Sequence, residues 1–130
     1  MKPARPPRTH AAPPKPVLRA RVWIELSGSP ALTDAGADLL EQIEATGSLS
    51  QAARTLHYSY RRAWLLLDAM NRRWPKPLVT TSTGGPHGGG AALTDLGRSA
   101  LHAYRDLQAQ LQHTLDQATP TFRRSTRSAL

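Results

Sequence analysis

Residues 47–64 of this 130-residue chain read GSLSQAARTLHYSYRRAW and predict two helices joined by a very short turn. Ser48 is a favourable N-cap residue, and Gln51 follows three positions later, as in a capping box. The small side chains of Ala52 and Ala53 would let a second helix cross the first closely. This layout is typical of a helix-turn-helix motif.

The second of these helices begins with a polar and basic turn. Ser59 can cap it, and Tyr60, Arg61 and Arg62 follow directly. Side chains of these types at a helix N-terminus can enter a DNA major groove. The alternative is a surface helical hairpin whose arginines are incidental. The DNA contacts predicted from this motif are Ser48, Ser50, Gln51, Ser59, Tyr60, Arg61 and Arg62.

The segments before the motif predict one strand and one helix. Residues 17–26 alternate between apolar and polar side chains, which predicts a strand with one buried face. Residues 27–30 (SGSP) indicate a turn or loop. An apolar stripe predicts a helix over residues 32–45, which Gly47 ends.

Residues 78–93 predict a β-hairpin directly after the motif, where a winged helix has its wing. Its loop, residues 84–90, holds five glycines in seven positions but lacks the Gly-Lys-Ser/Thr ending of a phosphate-binding loop. Backbone amides of a glycine-rich wing can lie against a DNA phosphate. The DNA contacts predicted for the wing are Thr83, Gly84, Gly85 and His87.

A last helix is predicted over residues 94–118, with Thr94 as its N-cap. Apolar side chains recur along it for more turns than a small domain can cover. Its second half therefore predicts a homodimer interface. The dimerisation residues predicted are Tyr104, Leu107, Leu111 and Leu115.

Positive charge is concentrated at the two ends of the chain, which has a formal net charge of +8. Residues 21–120 balance nine basic against nine acidic side chains, so the excess lies outside them. Such ends can add sequence-independent affinity for phosphates, or serve only solubility. The predicted organisation is a disordered basic Pro-rich arm (1–16), a winged helix-turn-helix domain (17–118, including the dimerisation helix 94–118) and a basic tail (119–130).

Residues 17–118 resemble the N-terminal DNA-binding domain of ModE-type molybdate-responsive regulators, which are related to LysR-type winged helices. The segments that carry this resemblance are GSLSQAA at 47–53, SYRRAW at 59–64, DAMN at 68–71, PLV at 77–79, TGG at 83–85, GGGA at 88–91 and LTDLG at 93–97. The resemblance implies a homodimer built through the last helix, a recognition helix beginning at Ser59, and a palindromic operator.

Family members that sense molybdate carry oxyanion-binding domains after the DNA-binding domain. Because this sequence ends at Leu130, we expect no molybdate binding by the chain, and no cofactor.

Several other functions are disfavoured by the sequence. The chain has no cysteine, which excludes disulfides and thiolate metal sites. No apolar run approaches the length of a membrane span, and the N-terminus lacks a secretory signal, so we expect a cytoplasmic protein. His102 and His113 are too far apart on the last helix to share a metal. No paired-carboxylate or Cys/His arrangement is present, and we do not expect an enzyme.

The expected fold is mainly α with a small β-hairpin: a winged helix-turn-helix with a long C-terminal dimerisation helix. The expected function is a sequence-specific transcriptional regulator that binds double-stranded DNA as a homodimer, with molybdenum-related genes as candidate targets. The alternative is an architectural DNA-binding protein without strong sequence choice, which would bind operator and random DNA similarly at moderate salt. RNA binding is disfavoured because the chain has one phenylalanine and no stacking platform.

Overall fold

The computed structural model describes residues 3–4, 12–83 and 89–129. Over these residues the chain is mainly helical, with four helices and two small antiparallel hairpins. The elements in chain order are β1 (Ile24–Leu26), β2 (Ser29–Leu32), α1 (Asp34–Thr46), α2 (Leu49–Thr55), α3 (Tyr60–Arg73), β3 (Val79–Thr81), β4 (Ala91–Leu93) and α4 (Asp95–Thr126).

Helix α1 lies at the centre of the hydrophobic core and packs against the other three helices and β4. The Thr33 hydroxyl caps it by accepting from the N–H of Gly36, and Gly47 ends it with a left-handed φ of 69°. The stripe predicted from the sequence is buried, with Leu39, Leu40 and Ile43 at most 1% exposed. The periodicity of apolar residues therefore gave the correct buried face.

The first hairpin differs from the prediction. The strand expected over residues 17–26 covers only Ile24–Leu26, and residues 29–30, expected in a loop, begin β2 instead. Pro30 normally argues against a strand, but a two-stranded sheet has only edge strands, and the pairing is irregular between Ile24 and Glu25. The predicted alternation survives in part, because Val22, Ile24 and Leu26 are half-buried.

The second hairpin forms where the sequence predicts it. Strands β3 and β4 are antiparallel, with Val79 opposite Leu93 and Thr81 opposite Ala91. The N–H of Ala91 also donates to the carbonyl of Gly47 at 3.0 Å. This bond ties the hairpin to the corner between α1 and α2.

Helix α4 begins as predicted, with the Thr94 hydroxyl accepting from the N–H of Gly97 at 3.0 Å. It does not end at residue 118 but continues through Pro120 to Thr126, so most of the predicted basic tail is helical. No helix among the described residues is both long enough and apolar enough to cross a membrane.

An arginine of α4 fastens this helix to the acidic side of α1. The Arg105 guanidinium donates to Glu41 at 2.7 Å, to Asp38 at 2.8 Å and to Gln108 at 2.8 Å. The hydrogen bond to Glu41, and after it the one to Asp38, raise the pKa of Arg105 above its ordinary value. Gln108 in turn donates to Asp34 at 2.6 Å. The acids of α1 that point to α4 therefore have a structural role.

Tyr104 is buried inside its own chain, with 2% of the residue exposed. Its hydroxyl lies 2.7 Å from the carbonyl oxygen of Val22 and 2.8 Å from a carboxylate oxygen of Asp34. Burial first, and then the hydrogen bond with Asp34, raise the pKa of Tyr104 to about 12. Because Tyr104 fills the core of the chain, its side chain is not available to a second copy. The leucines further along α4, Leu107, Leu111 and Leu115, are half-buried.

The segment before β1 runs in extended form beside α4. Ala20 and Val22 line a groove with Leu111 and Leu115, and further along, Arg123 donates to the carbonyl of Pro16 at 3.1 Å. The described end of the predicted arm, residues 12–16, therefore lies next to the C-terminal part of α4.

Candidate nucleic-acid interface

Helices α2 and α3 form the capped pair that the sequence predicts. The Ser48 hydroxyl accepts from the N–H of Gln51 at 3.2 Å, and the Ser59 hydroxyl accepts from the N–H of Arg62 at 3.1 Å. His57 takes a left-handed φ of 57° within the four residues that join the two helices. Each side-chain cap satisfies an N–H group that a helix start leaves without a partner.

The two faces of α3 differ sharply in chemistry. Helical periodicity predicts a core stripe of Ala63, Leu66, Leu67 and Met70 on this helix; Ala63, Leu67 and Met70 are buried, and Leu66 is half-buried. The opposite face carries Arg61, Leu65 and Arg72, all exposed, with a half-buried Asp68 between them. Asp68 pairs with Arg72 at 2.9 Å, so the exposed side of α3 carries a net positive charge.

The two arginines in the first turn of α3 are held differently. The Arg62 guanidinium lies 4.0 Å from the ring centroid of Tyr58, which is a cation–π arrangement. Within the described residues, neither a hydrogen bond nor an ion pair fixes the Arg61 side chain. Arg61 can therefore rotate to meet a ligand, while Arg62 is directed over the turn.

The predicted DNA contacts that the structure describes are all on or next to this motif or at the end of β3. Ser50, Gln51, Ser59, Tyr60, Arg61, Arg62 and Thr83 are exposed, and Ser48 is half-buried. Gly84, Gly85 and His87 lie outside the described residues. Exposure makes the described side chains accessible to a ligand.

A residue that sequence reasoning did not assign to any role connects α3 to the β3–β4 hairpin. The Asn71 side-chain oxygen accepts from the N–H groups of Leu78 at 2.9 Å and Val79 at 3.3 Å, and its amide donates to the carbonyl of Val79 at 3.0 Å. The signal in the sequence was a polar residue four positions after the buried Leu67, on the core side of α3. Asn71 fixes where the hairpin stands relative to the exposed face of α3.

Basic side chains dominate the surface around the motif. Arg54 lies in the last turn of α2, and Arg72 and Arg73 lie in the last turn of α3. In the described part of the chain, no group of three His, Asp or Glu side chains is placed to hold a metal ion. A basic helix face with an exposed first turn has the electrostatics of a polyanion-binding surface.

No protein-family model matches the chain. The chain is nevertheless similar in sequence to several curated proteins. Over 97 residues (75% of this chain, 36% of the relative), it is 42% identical to the molybdenum transport protein ModE of Azotobacter vinelandii. It is 43% identical to the transcriptional regulator ModE of Haemophilus influenzae over 75 residues (58% and 29%). It is also 43% identical to the DNA-binding transcriptional dual regulator ModE of Escherichia coli K12 over 74 residues (57% and 28%). The chain is a homologue of the ModE regulators.

The resemblance to ModE-type regulators stated from sequence motifs is thereby confirmed. This chain spans about a third of the length of the relatives it matches. Two of these relatives are named as transcriptional regulators and the third as a transport protein.

The structure gives a physical reason for two segments of this ModE homologue that carried the resemblance. The segment at 68–71 ends in Asn71, which holds the hairpin. The segment at 93–97 ends in Gly97, where any Cβ would overlap the carbonyl oxygen of Leu78. Both residues serve the packing of the hairpin against the helices.

Proposed function

We propose that residues 17–118 form a winged helix-turn-helix domain that binds specific double-stranded DNA and regulates transcription. Helix α3 is the recognition helix in this proposal, and the β3–β4 hairpin is the wing. The observation that carries it is the first turn of α3, where Tyr60, Arg61 and Arg62 are exposed beyond a side-chain cap. The regulator names of the relatives support the same function. A regulator of this kind works in the cytoplasm.

The two arginines have different roles in this proposal. Arg61, which no neighbour among the described residues holds, reads a guanine through its two donors in the major groove. Arg62, stacked on Tyr58, presents its remaining donors to a backbone phosphate. Base contacts give sequence preference, whereas phosphate contacts give affinity for any sequence.

The test begins with selection of binding sites from random duplexes at moderate salt. Binding of the selected and scrambled duplexes is then measured by fluorescence anisotropy. Arg61→Ala should weaken binding to the selected duplex by roughly 5- to 150-fold, the equivalent of about 1–3 kcal/mol, with little effect on the scrambled one. Arg62→Ala should weaken binding to both duplexes and make it less dependent on salt.

Arg21→Ala is the matched control, because Arg21 is an exposed arginine that faces Asp34 on the α1–α4 side. It should bind the selected duplex as the wild type does. Unchanged affinity and specificity in both Arg61→Ala and Arg62→Ala would contradict the assignment of α3. Equal binding of selected and scrambled duplexes by the wild type would instead favour the architectural alternative.

We propose further that the regulator is a homodimer through α4 and binds a palindromic operator. The helix has 32 residues and is roughly 48 Å long. Its contacts with α1 described above end at Gln108, whereas the apolar stripe of Leu107, Leu111 and Leu115 continues and is only half-buried. A second copy of the same stripe would cover these leucines and place two recognition helices on one duplex.

Leu111→Glu tests the dimer, because it places a charge in the middle of the stripe. Sedimentation should show the variant as a monomer, and tight operator binding should be lost because the two half-sites are no longer linked. Gln110→Glu adds the same charge at the exposed neighbouring position and should leave both properties unchanged. A monomeric wild type at micromolar concentration would refute the proposal.

Molybdenum-related genes are the proposed targets, because one relative is named as a molybdenum transport protein. The expectation that this chain itself does not bind molybdate remains a prediction, and so does the expectation that it needs no cofactor. Calorimetry with molybdate or tungstate should show no saturable heat at micromolar concentrations. Saturable binding that persists in excess sulfate would overturn the expectation.

A further inference from the structure

Exposed apolar side chains cluster on the proposed recognition helix. Six large hydrophobic residues are exposed among those the structure describes, and three of them, Tyr60 (57%), Trp64 (47%) and Leu65 (48%), fall within six positions of α3. The core takes other positions of the same helix, such as Ala63 and Leu67. The three exposed side chains therefore lie uncovered next to the basic first turn.

Leu65 occupies the middle of the exposed face. Arg61, Leu65, Asp68 and Arg72 follow one another at spacings of four, three and four residues, which places them in one row along the helix. Leu65 is one turn beyond Arg61, roughly 6 Å along the axis. With α3 laid along the duplex axis, that distance would span about two base steps of DNA.

The apolar side chain of Leu65 restricts which feature of a base pair it can contact. Its side chain has no polar atom, and the base-edge feature in the major groove that suits an apolar side chain is the 5-methyl group of thymine. Asp68, the next residue of the row, is already paired with Arg72. The positive charge of Arg61 and Arg62 beside Leu65 favours DNA over a protein as the occupant of this surface.

We propose that Leu65 is a specificity-determining residue that contacts a thymine methyl group about two base pairs from the base read by Arg61. This inference rests on the proposed function, because it requires α3 to lie in the major groove. Binding by the regulator then depends on a methyl group as well as on hydrogen bonds.

The experiment replaces each thymine of the selected duplex with deoxyuridine, which removes the methyl group and keeps the base pair. In the wild-type protein, replacement at one thymine position should weaken binding about fourfold per half-site, which is the effect of one buried methyl group. Replacement at that position in both half-sites should weaken binding about 16-fold. In Leu65→Ala the same replacement should cost less than about twofold. Leu65→Met, which keeps apolar contact, should retain most of the penalty.

Val17→Ala is the matched control, since Val17 is an exposed aliphatic residue (63%) outside the motif. It should show the wild-type response at every thymine. The inference is overturned if no thymine is sensitive, or if wild type and Leu65→Ala respond equally everywhere. The inference is also overturned if Leu65→Ala leaves DNA binding intact and changes only the association of this protein with other protein molecules. Failure to select any sequence would instead refute the proposed function, and this inference with it.

Discussion

The Asn71→Ala substitution removes the side chain that joins α3 to the β3–β4 hairpin. The substitution removes three hydrogen bonds. The backbone groups of Leu78 and Val79 that form them then have no partner. Both residues are buried, at 0% and 2% exposure, so water cannot easily replace the amide. At about 1 kcal/mol net for each bond, the free energy of unfolding should fall by about 3 kcal/mol.

Urea denaturation followed by circular dichroism measures this loss, at one fixed protein concentration because any dimer would make stability depend on concentration. With an m value of about 2 kcal/mol/M, the midpoint should fall by about 1.5 M and the slope should not change. Arg72→Ala, the exposed neighbour of Asn71, should stay within about 0.5 kcal/mol of wild type. A loss below about 1 kcal/mol in Asn71→Ala would refute the argument that this side chain holds the hairpin.

Three further predictions concern other parts of the fold, each measured by chemical or thermal unfolding. Gly97→Ala should destabilise the protein by about 3 kcal/mol although alanine favours helix, because the new Cβ overlaps the carbonyl oxygen of Leu78; a stabilised variant would contradict the close approach. Tyr104→Phe should lower the free energy of unfolding by about 1–2 kcal/mol at neutral pH, because it removes the hydrogen bond between the hydroxyl and Asp34. Because the pKa of Tyr104 is raised from 10 to about 12, this contribution should be complete below pH 10 and disappear as pH rises to about 12, which the phenylalanine variant should not show. His57→Gly should be neutral or stabilising by up to about 1 kcal/mol, whereas His57→Val should lose about 1–2 kcal/mol, since the φ of 57° suits glycine and not a β-branched residue.

The parts of the fold that the sequence predicts correctly depend on neighbours along the chain. The caps at Ser48, Ser59 and Thr94 each form between residues three positions apart, so a short window of sequence contains both partners. The buried face of α1 and that of α3 follow from helical periodicity in the same way. Local rules were therefore sufficient for the helix-turn-helix segment.

The parts of the fold that could not be predicted from the sequence depend on contacts between distant residues. Arg105 binds Asp38 and Glu41, which lie 67 and 64 positions earlier, and nothing near Arg105 in the sequence indicates this. Two boundaries were also predicted wrongly, because Pro30 lies in β2 and not in a loop, and α4 continues beyond residue 118 through Pro120 to Thr126. The candidate site was therefore predictable on α2 and α3, but the connections that orient it were not.

Those long-range connections determine how the proposed regulator would present its recognition helices. Arg105 and Gln108 fix α4 against α1 through three carboxylates, while Asn71 fixes the hairpin against α3. Since α1 also packs directly on α3, the exposed face of α3 has a defined direction relative to the leucine stripe of α4. In a homodimer through that stripe, the separation of the two α3 helices, and with it the spacing of the operator half-sites, would follow from this α1–α4 contact. A change at Arg105 should therefore alter the preferred half-site spacing even though Arg105 lies among the acids of α1 and not on the exposed face of α3.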